Sequence, residues 1–150
     1  MNKNTCIDIL LGVAIGDALG VPVEFKTRNY LTENPITDMI GFGTHNQPPG
    51  TWSDDSSLTF CLTEALIEGY TIEKSANNLL KWYTENYWTA DGDVFDIGNT
   101  TLKVIIKLKN GVSASESGLT TEQSNGNGSL MRMSPLIIYL QNQPIKKDLK

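Results

Sequence analysis

Apolar residues in this chain recur with the period of a helix, and no segment alternates apolar and polar side chains as a half-buried strand does. Near the start, Ile7, Leu10, Leu11, Ala14, Ile15, Ala18 and Leu19 keep i, i+3, i+4, i+7 spacing. They predict one apolar helical stripe, with Thr5 as its cap and Asp8 three residues on. Gly12, Gly16 and Gly20 recur every fourth residue of that helix. Glycine inside a helix costs about 0.5–1 kcal/mol relative to alanine, so such a row implies that another helix or a ligand packs very close. Residues 30–51 carry Pro35, Gly41, Gly43, Pro48, Pro49 and Gly50 and read as a long loop, a kind of segment that is often functional. A second helix is predicted from Ser53, with Leu58, Cys61, Leu62, Ala65 and Leu66 inward and Gly69 at its end. A third runs from Ile72 to Tyr87 with Ala76, Leu79, Leu80 and Tyr83 inward. A fourth runs from Thr100 to Lys109 with Leu102, Ile105 and Ile106 inward. The stretch from Val112 to Gly128, rich in Ser, Thr, Gly and Asn, reads as a loop. Ser134-Pro135 predicts an N-cap followed by proline at the first helical position, and the polar tail from Gln141 is expected to fray. The class that follows is all-α, with long loops gathered between short helices.

The 150 residues suffice for one compact domain with a core of its own. The net charge of −5 opposes the basic face that nucleic acid requires and suits a site for divalent cations. Asp8 and Asp17 interrupt the N-terminal apolar run. No stretch is therefore expected to reach the roughly 20 residues of a membrane span, and the chain reads as cytoplasmic, with no membrane partner. Cys6 and Cys61 lie in helical patterns and read as reduced, buried thiols. His45 is the only histidine, which removes a multi-histidine zinc site and argues against a Ser-His-Asp triad.

Four segments can carry chemistry, and each also has a plainer structural explanation. Ser53, Asp54 and Asp55 stand at a predicted helix start, where several oxygens can meet one hard cation; equally, Ser53 can cap the helix and the aspartates complement its dipole. Gly16 to Glu24 ends a helix in a Gly-Val-Pro turn and delivers Glu24, which could simply face solvent. Asp96 could reach a site beside Gly98, whose missing side chain allows close backbone approach, or could form an Asx turn that caps the next helix. Gly126, Asn127, Gly128 and Ser129 precede Arg132 and a helix. Their backbone N–H groups can face a pyrophosphate, and a flexible linker would look the same.

In combination and in this order, the four segments resemble the ADP-ribosylglycohydrolase family. The family's GDALG-x-P-x-E element corresponds to Gly16 to Glu24, and its G-x-W-[TS]-D-D-[TS] element to Gly50 to Ser56. Its D-x-G-x-T element corresponds to Asp96 to Thr100, and its GNG-x-x-MR-x-x-P-L element to Gly126 to Leu136. The resemblance implies a compact multi-helix domain that removes ADP-ribose from modified protein side chains with the help of Mg²⁺, two ions in the complete site, Mn²⁺ being an alternative. It implies that Ser53, Asp54 and Asp55 bind metal, that Glu24 and Asp96 are catalytic, and that Gly98, Gly126, Asn127, Gly128 and Ser129 hold ADP-ribose.

The resemblance also implies a late D-x-D-[TS] motif that completes the two-metal centre. The only carboxylate after Met133 is Asp148, so the chain reads as a partial domain, with a separate C-terminal half as one possible partner. Two other functions stay open at this point: a non-catalytic module that binds ADP-ribose, and a dimetal hydrolase of another ribosyl compound. A half-domain is expected to be marginally stable, with Leu79, Leu80 and Tyr83 as candidates for an uncovered apolar face.

Overall fold

The computed structural model describes residues 3–141, and among these the chain has six α-helices and no strand. They are α1 (Lys3–Gly20), α2 (Arg28–Glu33), α3 (Asp54–Ile67), α4 (Ile72–Glu85), α5 (Asn99–Lys109) and α6 (Ser134–Leu140). Hydroxyl caps set three of the starts. Ser53 Oγ accepts from Asp55 N at the head of α3, Thr71 Oγ1 from Lys74 N at α4, and Thr27 Oγ1 from Tyr30 N at α2. Helix α2 occupies part of what reads in the sequence as loop; its six residues bury nothing, so no apolar period announces it. Asn86 ends α4 in the left-handed region at φ 55°, a conformation that asparagine tolerates.

Helix α3 lies at the centre and packs against α1, α4 and α6, while α5 packs on α4. The core cluster is Leu58 and Cys61 from α3, Trp82 from α4 and Ile105 from α5. Leu79, Leu80, Tyr83, Tyr87, Val94, Ile97 and Met131 close around it. Trp82 is 1% exposed and fills the centre, although the helical spacing alone favours its neighbours Leu79, Leu80 and Tyr83. Those three are half-buried against the core and are not the uncovered face that a partial domain was expected to show.

The uncovered face belongs to α1. Ile7, Leu11 and Ile15 are exposed, and a Cβ built on Gly12, Gly16 or Gly20 would meet nothing within 4 Å. The close neighbour expected over the glycine row is thus not supplied by the described residues. Thr5 lies inside α1 rather than capping it. The segment Asn4–Val23 is also long and apolar enough to cross a membrane, at mean hydropathy 1.9, because two aspartates are too few to offset its Ile, Leu, Val and Ala. That corrects the expectation that no stretch reaches this length. At α6 the helix starts one residue early. Ser134 occupies the first turn with Pro135 behind it, and its buried hydroxyl has no hydrogen-bond partner. The tail expected to fray lies, from residue 142 on, outside the described residues.

The packing predicts a contrast in stability. Trp82→Ala should cost about 3–5 kcal/mol in a urea melt, whereas Leu11→Ala, at an exposed position, should stay within about 0.5 kcal/mol. Equal losses would place the core elsewhere.

Candidate active site

One carboxylate fastens the end of α1 to the start of α3. Asp17 Oδ2 accepts from Ser53 N at 3.0 Å, from Ser56 N at 3.0 Å and from Ser56 Oγ at 2.6 Å, and Asp17 Oδ1 accepts from Ser53 Oγ at 2.8 Å. The amides at a helix N-terminus lack intrahelical acceptors, and an anion is favoured there by the dipole. Asp17 meets both needs from outside the helix. Ser53 caps α3 with the same hydroxyl that donates to Asp17, so its oxygen is already engaged twice.

A short 3-10 turn, Val21–Val23, carries the chain from α1 to Glu24. The loop at residues 41–47 folds back onto this turn. Thr44 N donates to Pro22 O at 3.0 Å, Thr44 Oγ1 to Glu24 O at 2.7 Å, and Phe42 N to Gln47 O at 2.7 Å. The fit requires glycine at Gly43, where a Cβ would stand 1.8 Å from Pro22 O. The loop thereby sets His45 beside Glu24, with Nε2 2.5 Å from Glu24 Oε2 and 3.8 Å from Asp96 Oδ1. The rings of Phe25 and Phe95 flank the imidazole.

Asp96 reaches this point through a left-handed backbone at φ 55°. It does not cap α5, whose N-cap position is Gly98 and has no side-chain cap. Its pKa is pushed up to about 6, chiefly by burial and then by a hydrogen bond with Glu24. Asp54 is 7% exposed, and its pKa rises to about 8 because it is buried and then because Asp55, Asp96, Asp17 and Glu24 surround it. Burial also raises Asp55, with Asp17 and Glu24 adding to the effect.

Two adjoining cavities of about 460 and 530 Å³ share Glu24, Asp55, Asp96 and Met131 in their walls. The first adds Asp17, Ser53, Gly16 and Gly20. The second adds Asp54, Gly98, Gly126, Asn127 and Gly128. The glycine-asparagine loop leans on the start of α5, where a Cβ on Gly128 would meet Thr101 Oγ1 at 3.2 Å. Of the residues singled out in the sequence, Ser129 alone lines neither cavity; it stands behind the loop with Arg132. Burial lowers the Arg132 pKa, and the Asp54 carboxylate opposes that shift.

Two site residues escaped the sequence reading. Asp17 lies within the GDALG element, but the sequence alone presents it only as a break in the N-terminal apolar run. As the only histidine, His45 excludes a multi-histidine site; its place in a long Gly/Pro loop is the sequence signal that it could have a role of its own.

The donor set suits a hard divalent cation. Five carboxylates, those of Asp17, Glu24, Asp54, Asp55 and Asp96, crowd together, and the ion pairs at the site among the described residues all involve His45. Oxygen-rich, negatively charged sites of this kind are neutralised by Mg²⁺ or its relatives. Glu24, His45 and Asp96 also bring one potential ligand atom each within 4.8 Å of one another.

Comparison with known proteins bears on this arrangement. Residues 3–149 match the family model described as ADP-ribosylglycohydrolase. The chain is 38% identical over 133 residues to the "ADP-ribosylarginine hydrolase Tri1" of Serratia proteamaculans (strain 568), covering 87% of this chain and 35% of that protein. It is 29% identical over 140 residues to the "ADP-ribosyl-[dinitrogen reductase] glycohydrolase" of Rhodospirillum rubrum, covering 89% and 44%. A solved "ADP-ribosylglycohydrolase-related protein complex" superposes with TM-score 0.71 at 33% identity, covering 91% of this chain and 42% of that one. The chain spans between a third and a half of the length of these curated relatives.

The raised carboxylates fix the sign of a pH effect. The folded state holds more protons than the unfolded state between the ordinary value of 3.8 and about 8, so stability falls as pH rises through that window. Without divalent cations, calorimetric Tm should drop between about pH 5 and pH 8, Asp54→Asn should flatten the slope, and Mg²⁺ should restore most of the loss at the upper end. A Tm that climbs over this range would show that the carboxylates are not crowded.

Proposed function

Because the chain belongs to the ADP-ribosylglycohydrolase family, we propose that it forms the carboxylate-lined part of an active site that removes ADP-ribose from modified protein side chains. The observation that carries this reading is the meeting of Glu24, Asp54, Asp55 and Asp96 with the glycine-asparagine loop around one cavity. Arginine is the side chain proposed first, after the printed name of the Serratia relative.

In this proposal the backbone amides near Gly126, Asn127 and Gly128 receive the pyrophosphate, and Gly98 lets the ribose approach α5. Asp54 and Asp55 would hold Mg²⁺, which supplies charge compensation and fixes ribose hydroxyls in place. Glu24 takes a proton from the attacking water, whose oxygen bonds to the anomeric carbon as the carbon–nitrogen bond breaks. Asp96, the carboxyl of the pair with the raised pKa, gives a proton to the leaving guanidine nitrogen. The surrounding carboxylates favour the positive charge of an oxocarbenium-like transition state. His45 keeps the Glu24 carboxylate turned toward Asp96. Soluble cytoplasmic protein is the setting proposed for this chemistry.

A second reading has one observation behind it. The chain covers only about a third of the Serratia relative, and a part of that size could bind ADP-ribose without turning it over.

Calorimetry with ADP-ribose and Mg²⁺ tests the site. Asp54→Asn with Asp55→Asn should abolish the Mg²⁺ dependence, and Gly128→Val should weaken ADP-ribose binding about tenfold while leaving Mg²⁺ binding intact. Unchanged ADP-ribose affinity in both variants would refute the assignment. Release of ADP-ribose from a modified arginine peptide separates hydrolase from binding module.

A further inference from the structure

Two phenylalanines border the carboxylate site in places that burial does not explain. Phe25 follows Glu24 directly and is 80% exposed, and Phe42 is 68% exposed. Both hold the backbone in the left-handed region, at φ 62° and 56°. With Glu24 at φ −51° and ψ 144°, and Lys26 N donating to Val23 O at 3.0 Å, residues 23–26 form a type II turn. Phe25 occupies the third position of that turn, where glycine is the residue that fits without strain. A bulky side chain at positive φ is costly, and such strain collects at functional sites.

The strain is local to the site. Among the described residues six non-glycine residues have positive φ, and Phe25, Phe42, Asn46 and Asp96 of these belong to the assembly around Glu24 and Asp96. The loop that holds Phe42 is pinned there. Gly43 lies against Pro22, and Thr44 Oγ1 donates to Glu24 O at 2.7 Å. The Phe25 ring stands 6.2 Å from the ring of His45, whose Nε2 is bonded to Glu24. Neither phenylalanine lines the two carboxylate cavities. Both therefore stand outside the space that sugar and pyrophosphate fill in the proposed function, yet beside the carboxylate that activates water in it.

We propose that Phe25 and Phe42 hold the polypeptide that carries the ADP-ribosylated side chain, and so select a modified protein over a free nucleotide sugar. The inference rests on the hydrolase reading and names the part of the substrate that the cavities leave out. Beyond the carboxylate pair, the leaving side chain and its backbone are what remain to be bound. Exposed aromatic rings have most of their apolar area still to bury and suit such a segment. Lys26 and Arg28, exposed just after the turn, favour apolar or acidic residues beside the modified arginine. Adenine is disfavoured as the occupant. It is tied to the pyrophosphate, and the glycine-asparagine loop proposed to hold that group lines a cavity to which neither phenylalanine contributes.

The test compares two ligands on the whole 150-residue chain, in EDTA so that metal-assisted cleavage does not consume the probe. One is free ADP-ribose, followed by calorimetry. The other is a fluorescent peptide with leucine on both sides of an ADP-ribosylated arginine, followed by anisotropy. The wild-type chain should bind the peptide about tenfold tighter than ADP-ribose. Phe25→Ala and Phe42→Ala should each weaken the peptide about fivefold or more and leave ADP-ribose unchanged, while Tyr70→Ala, at an exposed aromatic elsewhere, should change neither. Phe25→Gly separates recognition from architecture. It should lose peptide affinity as Phe25→Ala does, yet melt no lower than wild type, because glycine suits the turn. A wild-type chain that binds ADP-ribose but gains nothing from the peptide overturns the proposal and leaves the hydrolase site standing. Equal loss of both ligands in Phe25→Ala would assign the ring to adenine, and loss of a homodimer in that variant would make the turn a self-interface; either result overturns the proposal. Failure to bind either ligand removes the hydrolase reading and this inference with it.

Discussion

Asp17 is the residue on which the arrangement of the site depends. It sits in an apolar helix, yet its two oxygens take four hydrogen bonds from Ser53 and Ser56 on another helix. Two of the donors are backbone amides that no carbonyl inside α3 can reach, so the contact satisfies groups that would otherwise be costly to bury. Loss of the Asp17 carboxylate would free the head of α3, and Asp54 and Asp55 would lose their fixed position beside Glu24. The same contact gives the carboxylate a structural reason to exist within a segment otherwise apolar enough to span a membrane.

The cavity that results is electrostatically unfavourable in isolation. Burial alone would raise the Asp54 pKa, and four further carboxylates raise it more. Such crowding opposes folding at neutral pH and is retained in proteins chiefly where a cation or a developing positive charge makes use of it. Both would apply to the proposed metal-assisted cleavage of a glycosidic bond. His45 tempers the crowding at one edge only, since it faces Glu24 and Asp96 but lies away from the aspartate doublet.

Helix periodicity made α1, α3, α4 and α5 readable in advance, because each repeats apolar residues over at least three turns. Helix α2 was not readable, since a six-residue helix that buries nothing has no period to detect. The inward face of α4 includes Leu79, Leu80 and Tyr83, as the spacing predicts, but its most buried residue is Trp82. Spacing cannot say that Trp82 fills the middle, because that depends on Ile105 arriving from α5. The four motifs placed Glu24, Asp54, Asp55, Asp96 and the loop at Gly126 to Gly128 in the chain, and these prove to share one cavity. Ser129 lies behind that cavity. The Ser53 hydroxyl, read as a metal ligand by resemblance, is engaged with Asp17 and the α3 cap. Asp17 and His45 carry only weak signals in the sequence, for a simple reason. Their partners lie 36 and 21 residues away, and only the folded chain reveals which long-range partner a polar side chain meets.

The central claim is that the aspartate doublet, with Asp54 buried and Asp55 half-buried, is a cation site held partly protonated until the ion arrives. Proton release on Mg²⁺ binding measures this directly, by calorimetry at neutral pH in buffers of different ionisation enthalpy. With the Asp54 pKa near 8, each chain should release about one proton as Mg²⁺ binds, and Asp54→Asn should release almost none. Mg²⁺ binding without proton release, or the same release from the variant, would contradict the account.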